Sequence, residues 1–214
     1  MTSGTESRAN LAPLEASLRH LVRIAGAIAG SPEGKMRSTM SEAIEDVDPD
    51  AVDEIILQSY LFAGFPRALN AARAWRAVSG RPAPDQDEEA SAKDLAAWRK
   101  RGEKTCAVIY GDHYEKLREN IRALHPALDE WMIVDGYGKV LARPGVDLRT
   151  RELCVVAACA VSGQQRQLHS HLHGALNAGS SAGEVAAVLD ALTDLISRDD
   201  LSRYRQLLQK VATA

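Results

Sequence analysis

The chain is predicted to be all-α and to contain one helical unit twice, and three observations carry that prediction. Apolar residues recur at helical spacing in nearly every periodic segment. No run of β-branched residues alternates as a strand does. Residues 20–44, HLVRIAGAIAGSPEGKMRSTMSEAI, can be laid on residues 152–176, ELCVVAACAVSGQQRQLHSHLHGAL, at a constant shift of 132 without a gap. The correspondence is one of pattern: Leu21 falls on Leu153, Ala27 on Cys159, Met36 on Leu168, Ser38 on Ser170 and Ala43 on Ala175. Repetition on this scale implies units that cannot bury their apolar faces alone. The expected organisation is a single body over 1–214: a first repeat at 11–78, a linker and connecting helix at 79–104, and a second repeat at 105–214.

Taken in order, residues 11–29 read as a first helix that stops at the turn Gly30, Ser31, Pro32. A second runs from about Glu33 to Ile44. Pro49 and Asp50 open a third, carrying Val52, Ile55, Ile56, Leu57 and Leu61, and Gly64 with Pro66 interrupts it before helix resumes through Leu69, Ala72 and Trp75. Residues 79–92, SGRPAPDQDEEASA, are acidic and Pro-punctuated without a large apolar residue, the composition of a linker. Helix is expected again from Lys93 through the 98–124 region, broken at Gly102 or Gly111. Residues 135–150, DGYGKVLARPGVDLRT, read as a Gly- and Pro-punctuated connection suited to a pocket wall. Asp147 can cap a helix ending at Gly163, a second helix runs to Gly179, and Ser181 with Glu184 fits a capping box for the next. Asp199 and Asp200 start a last amphipathic helix through Tyr204, Leu207, Leu208 and Val211.

Composition narrows the function classes. Lys and Arg number 26 against 29 Asp and Glu, a net charge of −3 without the basic surplus that nucleic-acid binding requires. Three cysteines make no disulfide framework and point to a reducing compartment. The start, MTSGTESRAN, lacks the basic and apolar parts of a secretory signal, and apolar runs such as 153–161 fall far short of the roughly 18 residues of a membrane span. The expectation is a cytoplasmic protein with no membrane or nucleic-acid partner.

The stretch 143–185, RPGVDLRTRELCVVAACAVSGQQRQLHSHLHGALNAGSSAGEV, resembles the carboxymuconolactone decarboxylase family, which shares its fold with AhpD-like alkylhydroperoxidases. The RPG-x-DLRTREL opening, the HL-x-GALNAG helix end and the acidic capping start carry the resemblance. YLFAGFPRALNA at 60–71 resembles the segment that usually follows that motif but here follows the first copy, as in a two-repeat or rearranged member. The resemblance implies an AhpD-like helical fold, a homo-oligomer (trimers or hexamers) and no cofactor. The peroxidase branch places a Glu, a CxxC pair and a His at the positions of Glu152, Gln164, Gln167 and His171. Both thiols are therefore missing, and Gln supplies no nucleophilic sulfur. The decarboxylase branch needs no cysteine: a positioned His with a carboxylate partner can stabilise and protonate a developing enolate. By resemblance His171 is the proton donor or oxyanion stabiliser, Glu152 its orienting partner, and Gln164 and Gln167 line a site for a small anionic or lactone-like compound. Arg149, Arg151 and Arg67 are the candidates to hold the anion.

Each of these residues also has a plainer reading. His171 lies at the edge of the face defined by Leu168, Leu172, Ala175 and Leu176, where a His is usually a packed, hydrogen-bonded residue. Glu152 near a helix start is favoured by the helix dipole. By helix rise Glu152 lies about 18 Å and His171 about 11 Å from the intervening turn, so direct contact is not assured. In the first copy His20 and Thr39 stand at the corresponding positions. His169 and His173 have the i, i+4 spacing of a metal pair, yet without an HExxH pattern or third ligand they read as exposed histidines, with no metal. Cys154, Cys159 and Cys106 read as buried free thiols. Trp75, Trp98 and Trp131 read as core or interface anchors. Three functions compete: a cofactor-free acid/base enzyme, a peroxidase using another Cys, and a non-catalytic binding protein.

Overall fold

The computed structural model describes residues 14–87, 89 and 95–213. Those residues form helices and no strand. In chain order they are α1 (Ala16–Gly30), α2 (Glu33–Ala43), α3 (Pro49–Ala63), α4 (Phe65–Ser79), α5 (Leu95–Tyr110), a 3-10 turn (Gly111–His113), α6 (Tyr114–Leu124) and α7 (Pro126–Trp131). A π-helix (Met132–Leu141) follows, then α8 (Leu148–Val161), α9 (Gln165–Asn177), α10 (Ala182–Asp190) and α11 (Arg198–Ala212). Residues 11–13 of the expected first helix and 93–94 of the expected fifth lie outside the described residues.

Local chemistry sets most boundaries. Asp48 caps α3 by accepting from the Asp50 amide, with Pro49 in the first turn, where its missing N–H costs nothing. Asp147 accepts from the Thr150 amide at the start of α8. Ser181 and Glu184 form a reciprocal capping box at α10. Ser197, two residues before the expected Asp199, caps α11 by accepting from Asp200. Gly64, at φ 81°, divides α3 from α4. Gly102 stays inside α5, and the break falls at Gly111, at φ 51°.

The axis of the core is α8. Every residue from Arg151 to Ala160 is buried, and the helix has no polar face to give to water. α1 lies along it, with α3, α9 and α10 on its other sides. α1 comes close because Gly26 and Gly30 face Val161: a Cβ at either glycine would sit 2.9 Å or less from that side chain. α5 packs on the π-helix and on α9.

One expectation fails here. Residues 135–141 are helical, within the π-helix, and only 142–147 form the connection to α8. Gly138 does not break the chain but admits a neighbour: a Cβ there would lie 2.1 Å from the Trp98 carbonyl oxygen, and one at Gly102 2.0 Å from that of Ile133. The glycines are needed for backbone-to-backbone contact, and the packing of α5 against the π-helix outweighs their weak helix propensity.

Candidate functional site

Glu152 sits in the first turns of α8, and His171 in the middle of α9. The two antiparallel helices bring the Nδ1 of His171 to 2.8 Å from Oε2 of Glu152. Glu152 is 0% exposed and His171 5%. The sequence left this contact undecided because helix rise put the two residues at different heights along the hairpin. Gly174, one turn beyond His171, lets them meet. A Cβ at that position would stand 2.5 Å from Oε2 of Glu152 and 2.7 Å from Cγ2 of Ile109, so α9 can approach α8 and α5 only where the side chain is absent.

The other groups around the pair come from elsewhere in the chain. Phe62, at the end of α3, meets the imidazole edge-on with ring centroids 5.7 Å apart. It also lines a small apolar cavity with Ala25, Ile55, Gln58 and Ala158. Tyr137 of the π-helix donates to the hydroxyl of Tyr110 in α5 at 3.4 Å. Burial pushes the Tyr110 hydroxyl up to about 12, with the Glu152 charge adding to the shift and Tyr137 opposing it. Burial likewise holds Tyr137 well above its ordinary value. Both phenols are therefore neutral donors at pH 7. Cys106 is fully buried, and its thiol is pushed up to about 12 by burial, against the nearby Arg118. Oε1 of Glu152 is buried without a hydrogen-bond partner among the described residues. The Nε2 of His171 has no hydrogen bond among the described residues, and the side chain keeps 7% of its surface open to solvent.

The three candidate arginines are engaged elsewhere. Arg67 donates to the carbonyls of Ala27, Ile28 and Ser31, closing the C-terminal end of α1, where unpaired carbonyls and the helix dipole favour a cation. Arg151 is fully buried and points away from its neighbour Glu152. It pairs with Glu54 at 2.7 Å and donates to the carbonyls of Arg143, Pro144 and Val146. Arg149 pairs with Glu184. Gln164 and Gln167 are exposed, and Gln164 is the residue that precedes α9. Adjacency in sequence suggested the arginines, but the direction in which each side chain leaves its helix decides where its charge goes. The phenols and Phe62 were not singled out as site residues: 60–71 and 135–150 were marked only as segments, and no spacing links α3, α5 and the π-helix to the motif in α8 and α9.

At the positions that the sequence alignment sets against Glu152 and His171, the side chains do something else. His20 contacts Asp46 through Nε2 at 3.2 Å, and Thr39 donates to the Lys35 carbonyl within its own helix. Cys154 and Cys159 are buried, with thiols that burial pushes up to about 12.

Comparison with known proteins bears on residues that include the pair. Residues 126–195, from α7 to the turn after α10, match the carboxymuconolactone decarboxylase family. Over 176 residues the chain is also 27% identical to Peroxisomal protein 2 of Schizosaccharomyces pombe, a match that covers 80% of this chain and 82% of that protein. It is a distant homologue. No helix among the described residues is long and apolar enough to cross a membrane.

Proposed function

We propose that the chain is a cofactor-free acid/base enzyme in which Glu152 orients His171 for proton transfer to a small lactone-like compound, as in the decarboxylase branch of the family. The observation that carries this reading is the buried Nδ1–Oε2 contact of 2.8 Å. Glu152 accepts from Nδ1–H, which fixes the tautomer and leaves the lone pair of Nε2 to take or return a proton. The pair is buried, so a charge formed on the ring or on substrate is screened little. Tyr110, within range of the Glu152 charge, offers a neutral donor for an oxyanion, and Phe62 supplies an apolar wall. Since Arg67, Arg149 and Arg151 are occupied, any carboxylate on the substrate relies on hydrogen bonds, with Gln164 and Gln167 at the exposed start of α9 as its candidates.

A peroxidase reading requires a thiolate. Cys106, Cys154 and Cys159 are buried and hold their protons, which disfavours it. Steady-state turnover of carboxymuconolactone and related lactones is the test. His171→Asn and Glu152→Gln, with unchanged circular dichroism, are expected to lower kcat by about 10²–10⁴-fold, the usual contribution of a general acid or base. Equal turnover by wild type and His171→Asn refutes the proposal. Hydroperoxide turnover that alkylation abolishes supports the thiol reading in its place, and retention of a small molecule without turnover of any kind supports a binding protein.

The same proposal treats 11–78 and 105–214 as two copies of one unit, the first with a degenerate site, joined by 79–104. It also includes a homo-oligomer, a trimer or hexamer in keeping with the family resemblance. α6 has no buried residue, and Leu124 at the end of it is 73% exposed and Trp131 in α7 59%. A second copy of the chain is the partner proposed for that face. Light scattering of wild type and Trp131→Glu tests it. The compartment proposed is the cytoplasm, with the peroxisome as the alternative because of the relative's name. A fluorescent fusion of the full chain distinguishes them.

A further inference from the structure

α9 carries a second set of imidazoles on the side away from the Glu152 contact. At 100° per residue, His169 and His173 each lie about 160° around the helix from His171 and about 40° from each other. Their ring centroids are 5.0 Å apart and the planes meet at 72°. Two imidazoles on one tetrahedral metal, at metal–nitrogen distances of about 2.0–2.1 Å, hold their centroids roughly 5 Å apart. The side chains therefore already have the separation of a chelate, without movement of the helix. His169 is exposed and His173 half-buried, so water and ions reach both.

A third imidazole is close by. The side-chain amide of Asn177 donates to the Ile109 carbonyl at 2.8 Å and ties the end of α9 to the end of α5, just before the 3-10 turn that carries His113. His113 is near enough that its charge, together with that of His169 and behind the larger effect of burial, lowers the pKa of His173. Among the described residues no three or more His, Cys, Asp or Glu side chains are grouped so as to hold a metal ion. The candidate is thus a two-ligand pair, His169 and His173.

We propose that His169 and His173 chelate a divalent first-row transition metal ion, of the Cu²⁺, Ni²⁺ and Zn²⁺ class, on the outer face of α9. Imidazole suits these ions, with Cu²⁺ bound most tightly, whereas Mg²⁺ prefers oxygen ligands. With two protein ligands the ion is exchangeable. The site is independent of the acid/base reading, because neither ligand touches Glu152 or His171.

The full-length, untagged protein is titrated calorimetrically with NiCl₂, CuCl₂ and MgCl₂. The expected result is one Ni²⁺ or Cu²⁺ per chain, no binding of Mg²⁺, and at least a tenfold loss of Ni²⁺ affinity in His169→Ala and in His173→Ala. Electron paramagnetic resonance of the Cu²⁺ form is expected to show two coordinated nitrogens. Absence of Ni²⁺ binding in the wild type overturns the proposal, as does binding that survives both substitutions. If the half-buried position 173 does not tolerate alanine, the exposed His169→Ala variant decides alone.

Discussion

Gly174 is where the packing around the candidate pair can be tested most directly. In Gly174→Ala the added methyl would stand 2.5 Å from Oε2 of Glu152 and 2.7 Å from Cγ2 of Ile109. Neither neighbour is a loose end: Oε2 is held by His171, and Ile109 is fully buried. Overpacking of this kind costs about 1–3 kcal/mol, whereas replacing Gly by Ala inside a helix returns about 1 kcal/mol of propensity. The net expectation is a loss of about 1 kcal/mol or slightly more. With a slope of about 2 kcal/mol per molar urea, the midpoint of unfolding falls by roughly 0.5 M or more. Nitrogen-15 spectra of the imidazoles should show in parallel the loss of the hydrogen-bonded Nδ1 signal of His171. A variant that unfolds at higher urea than the wild type, with that signal intact, would show that only helix propensity had changed and that α9 has room to spare. The account of how α8 and α9 meet would then be wrong.

Further predictions concern the charged and thiol groups. Arg67→Met removes the donors that close the C-terminal end of α1, and charged hydrogen bonds of this kind contribute about 1.5–3 kcal/mol each before they are replaced by water, so chemical denaturation should register a clear loss; an unchanged midpoint would argue against the cap. For Glu54, burial favours the neutral acid, but hydrogen bonds from Arg143 and Arg151 outweigh it and hold the carboxyl below its ordinary value. The unfolded chain therefore takes up this proton first as pH falls, and the stabilisation present at neutral pH is lost below about pH 4.3 as the folded-state pKa is approached. Glu54→Gln should flatten that part of the stability curve, and an unaltered acid slope would contradict the pairing. Ellman's reagent at neutral pH should leave Cys106, Cys154 and Cys159 unmodified in the native protein and react with all three in urea; rapid native modification would mean that a thiol is accessible.

Residues that speak for their own backbone were legible in the sequence. Asp147, Ser181, Glu184, Pro49 and Gly64 act through bonds to amides one turn away or through their own φ, so local spacing suffices to place the caps and breaks they make. The all-helical class followed in the same way, from periodicity, and so did the burial of Cys154 and Cys159. Glu152 and His171 could be singled out as residues, by their place in a motif. What tertiary structure decided was contact and direction. Gly138, read as a chain break, proved to be a point of backbone approach inside a π-helix, because the demand comes from Trp98, forty residues earlier. Arg151 lies beside Glu152 in sequence yet is drawn to Glu54 on another helix, and Arg67 is spent on the end of α1. The ring of Phe62 meets the imidazole from α3, and the phenols of Tyr110 and Tyr137 come within reach of the Glu152 charge from two further elements. Local pattern records the forces between near neighbours along the chain; which distant side chains share a buried volume is fixed only when the helices pack.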